Sequence, residues 1–341
     1  MNSVHGFRAD RFETIYVESG IQNHPRTKRI LAHFPHAHIV MIARYMDIFN
    51  RPRQSYALQH KHQALILAEK KGEYLYAGSP VCQDFGHRFV VANCVLNCIY
   101  DCDYCWLKGM FLSAYIVVFV NLEDYFSAVE AELKKESTYL SLTYQCDLVP
   151  LEPWLRYIEE WMRFASEHED LQIEIRTKCA NSAVFSDQYA QSGTIVAYTL
   201  SPDRLICWAE HGTPPLAQRL QAAQNCLQKG YPVRLCFDPV IHFPQWKRSY
   251  TEMVKETLKT IDCTRIMDFS VGTFRLSTVY LAGMRRSFAD RVCVQYPFQT
   301  TKGYAHYPEE LIKEMESTIC TALEQKVKKE KIFKERDRNN E

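Results

Sequence analysis

From residue 87 onward, short apolar runs alternate with longer amphipathic runs, and this alternation limits the folds open to the chain more than any other feature. Runs such as Arg88–Ala92 and Thr194–Leu200 have the apolar, β-branched character of buried strands, whereas Glu152–His168 has helical apolar spacing. Repeated βα units of about 30 residues predict a parallel sheet with helical crossovers. We expect about six such strands between residues 87 and 275, with functional side chains at their C-terminal ends.

The same patterns predict individual elements along most of the chain. Strands are predicted at Phe12–Ser19, His38–Ile42, Arg88–Ala92, Tyr115–Val120, Thr138–Tyr144, Leu171–Ile175, Thr194–Leu200, Pro232–Phe237 and Arg265–Val271. Helices are predicted at Pro25–His33, Asp124–Glu136, Glu152–His168, Pro215–Lys229, Tyr250–Ile261 and Pro308–Glu330. Residues 326–338 carry seven basic and three acidic side chains, and we expect them to form a solvated helical tail.

Composition excludes several classes of protein. With 47% hydrophobic residues, 24% charged residues and only 12 glycines, the chain is neither collagenous nor of low complexity. The net charge of +1 gives no overall attraction to a polyanion. The N-terminus has no apolar signal core, and the longest apolar stretch, residues 110–120, is too short to span a bilayer. We therefore expect a cytoplasmic protein.

Cysteine content is high, and its distribution is uneven. The chain has 13 cysteines, and four of them lie in the run from residue 94 to residue 105. Thiols stay reduced in the cytoplasm, so this cluster indicates metal ligands or redox groups and not disulfides. The eight cysteines after Cys105 are widely separated and are expected to be small buried residues.

The spacing of the clustered cysteines suits an iron–sulfur cluster. Cys98, Cys102 and Cys105 would supply three thiolates to a 4Fe–4S cluster and leave one iron open. A zinc site normally has two separated pairs of ligands, and no second CxxC pair follows. Cys94 makes a similar triplet with Cys98 and Cys102, but only the later triplet ends in CxxC. Cys82 and Cys94 are left unassigned.

The motif Cys98-x3-Cys102-x2-Cys105, with Tyr104 and Trp106 around its last cysteine, resembles the cluster loop of radical S-adenosylmethionine (SAM) enzymes. Over about residues 12–320 the chain also resembles the spore photoproduct lyase family. The resemblance is carried by Ile15–Gly20, Val90–Trp106, Ile173–Lys178, Ala209–Leu216, Gln218–Ala223, Gly230–Arg234 and Phe237–Val240. It implies an α/β fold with a partial (βα)6 radical SAM barrel at 86–280. An N-terminal α/β extension at 1–85 and a C-terminal extension at 281–341, with a helix and the basic tail, would flank it.

The family resemblance implies a radical SAM lyase that repairs DNA directly. In bacterial spores, ultraviolet light joins adjacent thymines through a methylene bridge. The family's enzymes use a 4Fe–4S cluster to cleave SAM to a 5′-deoxyadenosyl radical, which abstracts a hydrogen atom from C6 of the dimer. The bridge then fragments, a hydrogen atom of the protein quenches the product radical, and SAM is regenerated. The implied partners are ultraviolet-damaged DNA and an electron donor such as a ferredoxin or a flavodoxin, and we expect a monomer with no membrane association.

Several site residues follow from the same resemblance. Cys98, Cys102 and Cys105 match the cluster ligands, and Lys178 matches a lysine that can pair with the carboxylate of SAM. Asp147 and Thr199 are expected at strand ends, where they would hydrogen-bond SAM. Asp238 and Arg275 also end strands, and either a substrate contact or a structural ion pair is open for them.

The chain departs from the family at the hydrogen-atom donor. The family's donor cysteine aligns with Tyr144, and Cys146 stands where the family has a serine. The family also has tyrosines on both sides of the third cluster cysteine, whereas this chain has Tyr104 and Trp106. On a strand, residues 144 and 146 would face the same side, so Cys146 is predicted as a displaced donor, with Tyr144 and Tyr104 in the relay.

Two alternatives remain open from the sequence. The first alternative to thymine-dimer repair is a family member that acts on another substrate. The second is a non-catalytic iron–sulfur protein that binds nucleic acid. The second alternative requires a fourth cluster ligand, which Cys94 would supply.

Overall fold

The computed structural model describes residues 11–78 and 85–334. Cys82 and residues 335–338 of the basic tail lie outside the described residues. Within the described ranges, no helix is both long enough and apolar enough to cross a lipid bilayer.

Strands and helices alternate through most of the described chain. The strands are β1 Thr14–Glu18, β2 His38–Ile42, β3 Leu65–Ala68, β4 Leu75–Ala77, β5 Arg88–Ala92, β6 Val95–Leu96, β7 Asp101–Cys102, β8 Ile116–Phe119, β9 Thr138–Ser141, β10 Leu171–Thr177, β11 Thr194–Thr199, β12 Glu210–His211, β13 Val233–Val240, β14 Asp268–Thr273, β15 Arg275–Ser277, β16 Gln299–Thr301, β17 Tyr304–His306 and β18 Ile332–Lys334. The helices are α1 Pro25–Leu31, α2 Met46–Phe49, α3 Tyr56–Lys61, α4 Leu107–Met110, α5 Leu122–Leu133, α6 Glu152–Leu155, α7 Tyr157–Ser166, α8 Asp203–Ala209, α9 Leu216–Gln228, α10 Trp246–Thr260, α11 Thr278–Ser287 and α12 Glu309–Leu323.

The larger sheet is the predicted partial barrel. Its eight strands run in the order β18-β14-β13-β11-β10-β9-β5-β4. The six strands from β5 to β14 in this order are all parallel to their neighbours, and helices cross over between most of them. Both faces of such a sheet are covered, which is why β11 is buried along its whole length. The edge strands β4 and β18 do not pair with each other, so among the described strands the barrel stays open. The predicted α/β class with a partial (βα)6 barrel is confirmed.

A second sheet has the order β2-β1-β3-β8-β6, in which only β6 is antiparallel. The chain leaves the barrel after β5, adds β6 to this sheet, forms the cysteine loop and returns as β8. Ile116 of β8 lies beside Leu65 of β3, so a strand from the middle of the chain completes the N-terminal sheet. The domain boundaries at 85 and 280 stay a prediction.

Two predicted elements differ from the structure: a strand is shorter than predicted, and a helix is divided in two. The strand predicted at Thr138–Tyr144 ends at Ser141, because the Thr143 hydroxyl accepts the N–H of Arg176 at 2.8 Å in place of a ladder bond. Residues 144 and 146 therefore do not lie on a strand, and the argument that they share a strand face is wrong. The helix predicted at Glu152–His168 is divided at Arg156, whose φ is +57°.

The basic tail is not a solvated helix over its described part. Helix α12 ends at Leu323, and residues 332–334 form β18, parallel to β14. The Lys326 ammonium donates to the Leu258 carbonyl at 3.1 Å, and that of Lys331 donates to the Ile266 carbonyl at 2.6 Å. These contacts hold the segment against the barrel, so Lys326 and Lys331 stabilise the edge strand β18.

Candidate active site

One cavity of about 610 Å³ brings the predicted site residues together. It opens where barrel strands end, with Lys178 directly after β10 and Thr199 at the end of β11. Every residue assigned to the site from the sequence lines this cavity: Cys98, Cys102, Tyr104, Cys105, Tyr144, Cys146, Asp147, Lys178 and Thr199. Their common location is established, while their chemical roles stay predictions.

The start of the cysteine loop is fixed to the N-terminal sheet. Asn97 is buried in the left-handed conformation, and its side-chain amide donates to the carbonyls of Ser113 and Tyr115 at 2.7 and 2.9 Å. The side chain of Gln63 donates to the Cys98 carbonyl at 3.3 Å. A buried side-chain amide with defined backbone partners restrains the position of the first cysteine.

The middle of the loop is fixed to the barrel. Strand β7 pairs antiparallel with β12, which places Cys102 opposite Glu210. The N–H of Asp103 donates to the Ala209 carbonyl at 2.8 Å, and that of Cys105 donates to the Cys102 carbonyl at 3.1 Å. The loop is therefore held at its start by the N-terminal sheet and at its middle by β12, which lies between helices α8 and α9.

Glu210 is the centre of a buried hydrogen-bond network beneath the loop. Its carboxylate accepts the hydroxyl of Tyr104, the hydroxyl of Ser201 at 2.7 Å and the guanidinium of Arg219 at 2.5 Å. Burial would raise the pKa of this carboxyl, but Arg219 and Lys178 lower it to about 2. Glu210 is therefore ionised and holds the Tyr104 hydroxyl in place.

Sequence reasoning gave no role to Glu210 or Arg219. Both lie in segments that carried the family resemblance, so a signal was present. Their partnership depends on a contact between β12 and α9 that residue spacing does not reveal.

The three thiols lie in surroundings that disfavour free thiolates. Burial raises the pKa of Cys98 to about 12, and it raises that of Cys102 well above the ordinary value. The backbone N–H of Tyr100 points at the sulfur of Cys98, with a distance of 3.5 Å. Among the described residues, no three His, Cys, Asp or Glu side chains are arranged around a single metal ion. In an iron–sulfur cluster each cysteine binds a different iron, so its ligands need not surround one point.

Lys178 and Asp147 line the cavity from the barrel side. The Lys178 ammonium lies 5.5 Å from the centre of the Tyr104 ring. Burial lowers the pKa of Lys178, but nearby Cys102 and Glu210 raise it above the ordinary value, so the ammonium stays charged. The Asp147 carboxylate accepts the Thr177 hydroxyl at 2.8 Å and the N–H of Lys178 at 2.9 Å. Asp147 thus fixes the strand end that carries Lys178.

Tyr144 and Cys146 differ in their exposure. Tyr144 is 41% exposed and its ring lies 5.6 Å from that of Trp106, which in turn stacks on Tyr280 at 6.2 Å. Cys146 is 7% exposed, and burial raises the pKa of its thiol well above the ordinary value. The cavity therefore contains a protonated thiol and, nearer to solvent, a phenol in a row of aromatic rings.

Cys94 lies apart from the other clustered cysteines. It is fully buried between β5 and β6, is absent from the cavity lining, and has a pKa raised to about 12 by burial. The structure thus gives no support to Cys94 as a fourth cluster ligand.

The structure gives Asp238 and Arg275, whose roles the sequence left open, specific partners. Asp238 accepts the guanidinium of Arg176 at 3.0 Å, and both residues line the cavity. The guanidinium of Arg275 lies 5.0 Å from the centre of the Tyr304 ring, at the same cavity. Asp238 therefore forms an ion pair, and Arg176 is a cavity residue that the sequence did not single out.

Comparisons with known proteins agree with this arrangement. A family model described as spore photoproduct lyase matches residues 12–279. The spore photoproduct lyase of Clostridium acetobutylicum is 24% identical over 190 residues, which cover 54% of this chain and 56% of the relative. That of Bacillus subtilis is 24% identical over 168 residues, covering 47% and 48%. The chain thus spans about half the length of the curated relatives it matches.

Solved structures of spore photoproduct lyase share the fold. One, complexed with dinucleoside spore photoproduct, matches with a TM-score of 0.80 and 17% identity, covering 96% of this chain and 99% of the other. A mutant with bound AdoMet and dinucleoside spore photoproduct matches with a TM-score of 0.79 and 17% identity, covering 95% and 98%. The predicted family is confirmed, because its model matches well over half of the chain: the protein belongs to the spore photoproduct lyase family.

Proposed function

We propose that this protein is a radical SAM lyase that repairs ultraviolet-damaged DNA by splitting the methylene-bridged thymine dimer called spore photoproduct. The proposal rests on the cavity, where three cysteines of one loop, a partly buried lysine, a thiol and a phenol converge. Membership of the family, and relatives and solved structures that bear the lyase name, support the same reaction and substrate.

The cysteine loop fits a 4Fe–4S cluster with one open iron. Cys98, Cys102 and Cys105 line one cavity from a loop fixed at its start and its middle, and a backbone N–H already points at the sulfur of Cys98. When bound, the cluster and SAM supply a 5′-deoxyadenosyl radical that removes a hydrogen atom from the substrate.

Three residues are assigned to holding SAM. The charged ammonium of Lys178 binds the carboxylate of SAM, and Asp147 positions Lys178 through its backbone N–H. Thr199 offers its hydroxyl at the end of β11, while its carbonyl is held by the Arg219 guanidinium at 3.1 Å. Partial burial of this ammonium strengthens its attraction to a carboxylate.

We assign the return of the hydrogen atom to Cys146. Its S–H bond breaks and a C–H bond forms on the product radical, which leaves a sulfur radical on Cys146. Tyr144 then gives its phenolic hydrogen atom to that sulfur, and Trp106 lies against the Tyr144 ring. The Tyr144 radical takes the phenolic hydrogen atom of Tyr104, a residue of the cysteine loop whose hydroxyl is held by Glu210. Tyr104 would in turn take a hydrogen atom from the methyl group of 5′-deoxyadenosine, which would close the relay.

The proposal also includes the partners of the protein and its location in the cell. The substrate is ultraviolet-damaged DNA, whose lesion must leave the base stack to enter the cavity. A ferredoxin or a flavodoxin supplies the electron, and the protein acts as a monomer in the cytoplasm.

One observation favours a second candidate, a family member acting on another substrate. Tyr144, and not a cysteine, occupies the position aligned with the family's hydrogen donor. A changed donor would follow if the product radical differed from that of the thymine dimer.

Anaerobic reconstitution tests both candidates. The protein is loaded with iron and sulfide, reduced with dithionite and supplied with SAM and DNA irradiated in the dry state. We expect thymine to be recovered from spore photoproduct. Formation of 5′-deoxyadenosine without thymine would reject thymine-dimer repair and favour the second candidate, whereas no cleavage of SAM by a reducible cluster would reject both.

A further inference from the structure

We infer that the C-terminal strand β18 forms part of the substrate site, where Phe333 stacks on a nucleobase. This inference rests on the proposed function, because it names the part of the protein that contacts the nucleotide around the lesion. The family match ends at residue 279, well before this strand.

The strand pairing places Phe333 at the cavity. Phe333 lies beside Ser270 of β14 in a parallel register, and both residues line the cavity that contains the cysteine loop. Neighbouring residues of paired strands present their side chains to the same face of the sheet. Phe333 is 36% exposed, so its ring is available to a molecule in the cavity.

The cavity also reaches the opposite edge of the open barrel. Strand β18 forms one edge of the sheet, and β4 with β5 forms the other. Phe89 on β5 and Phe85 just before it line the same cavity as Phe333. Phe85 stacks on Tyr139 with the ring centres 3.9 Å apart, and Phe89 packs edge-on against the same ring, so both already have aromatic partners. An extruded base needs a stacking surface that is not already covered in this way, and the partly exposed ring of Phe333 provides one.

The lysines around β18 hold the strand in place. Lys326 and Lys331 donate to backbone carbonyls of the barrel. Lys334 follows Phe333 on the strand, so its side chain faces the other side of the sheet, where its ammonium lies 3.8 Å from the Glu316 carboxylate of α12. These contacts fix the backbone that presents Phe333 to the cavity.

Two substrates test the stacking role: spore photoproduct as a dinucleotide with its phosphodiester, and the dinucleoside without phosphate. Phe333→Ala is expected to raise KM for both by about tenfold, as the loss of a stacking partner would. Lys334→Gln, which removes a charge on the opposite face of the same strand, is the matched control and should keep the wild-type KM for both.

Further variants separate stacking from folding. Phe333→Tyr is expected to keep the wild-type KM, whereas Phe333→Leu, which preserves apolar bulk, should resemble Phe333→Ala. Iron content and melting temperature check that β18 is intact. An unchanged KM in Phe333→Ala or in Phe333→Leu would overturn the stacking role. A KM raised in Lys334→Gln as much as in Phe333→Ala would show that β18 acts through its fold alone, and would also overturn the stacking role.

A binding assay keeps the inference distinct from the proposed function. Single-stranded oligothymidylate with a fluorescent label should bind Phe333→Ala about tenfold more weakly than the wild type. If the wild type repairs neither substrate but this difference is found, the repair reaction fails and the binding role of β18 stands. If repair occurs and Phe333→Ala behaves as the wild type, the binding role fails and the repair reaction stands.

Discussion

The hydroxyl of Tyr104 donates a hydrogen bond to the buried carboxylate of Glu210, directly beneath the cysteine loop. Glu210 also lies opposite Cys102 in the β7–β12 pair, so one residue contacts the loop through both its backbone and its side chain. Arg219 neutralises this carboxylate. The position of the loop therefore depends on a charge pair that comes from a distant part of the chain.

Glu210→Gln is expected to destabilise the protein by about 3–5 kcal/mol, because it leaves the Arg219 guanidinium buried and unpaired. Urea unfolding of the reduced, metal-free protein measures the loss, and iron content after reconstitution should fall with it. Glu159→Gln removes an exposed partner of Arg156 and should change the free energy of unfolding by less than about 1 kcal/mol. Equal stability of Glu210→Gln and the wild type would contradict the assignment.

A double variant that neutralises both members of the ion pair tests the same prediction. Replacing both members of a buried ion pair with neutral groups is often far less damaging than removing one. Glu210→Gln combined with Arg219→Met should therefore recover much of the lost stability. Recovery of stability without recovery of iron content would show that the carboxylate also positions the loop.

Cys146→Ala should lose most of its thymine yield while still cleaving SAM, because the product radical no longer has a buried thiol to quench it. Cys207, an exposed cysteine on α8, provides the control as Cys207→Ala. In deuterated water the wild type should deliver deuterium from the exchanged thiol to the product. Wild-type yield and labelling in Cys146→Ala would assign the donor to another group, and Tyr144→Phe then tests the phenol.

Lys178→Gln should weaken SAM binding by about tenfold or more, the expected effect of losing a hydrogen bond to a charged group. Equilibrium dialysis of SAM against the reconstituted protein measures the dissociation constant. Lys255→Gln, an exposed change on α10, should bind SAM as the wild type does. An unchanged dissociation constant in Lys178→Gln would remove Lys178 from the SAM site.

Sequence patterns predicted the barrel because its strands are nearly continuous apolar runs. The predicted bounds of two strands agree with the structure at both ends: Arg88–Ala92 in the barrel and His38–Ile42 in the N-terminal sheet. Residue patterns could not show that β8 joins the N-terminal sheet, because the choice of a parallel neighbour depends on contacts between Leu65 and Ile116. The end of β9 was also missed, because the Thr143 hydroxyl accepts the backbone N–H of Arg176 in place of a strand-to-strand backbone hydrogen bond.

The site was predictable where it follows from topology. Lys178 and Thr199 meet the cysteine loop because the C-terminal ends of parallel strands lie on one side of a barrel. Phe333 was not predictable, since a lysine-rich segment indicates solvent exposure, and only contacts such as Lys331 to Ile266 turn it into an edge strand.

The buried carboxyl of Glu152 should make stability depend on pH. It accepts the N–H groups of Ile158 and Glu159 at 2.8 and 3.0 Å, across the helix break at Arg156. Burial, with a smaller effect of the Glu159 carboxylate, raises its pKa from 4.5 to about 7. The folded protein therefore keeps this proton at pH values where the unfolded chain has lost it. Its contribution to the free energy of unfolding is greatest below pH 4.5 and declines as pH rises toward 7.

Glu152→Gln removes this titration. The difference in free energy of unfolding, wild type minus variant, should fall by about 3 kcal/mol between roughly pH 4.5 and pH 8. Urea unfolding of the reduced, metal-free proteins at several pH values gives this difference and cancels the titration of all other groups. The matched control is Glu169→Gln, an exposed change that should give a difference independent of pH. A constant difference for Glu152→Gln as well would mean that the Glu152 carboxyl titrates alike in the folded and unfolded chains, and that the two N–H donors fully offset its burial.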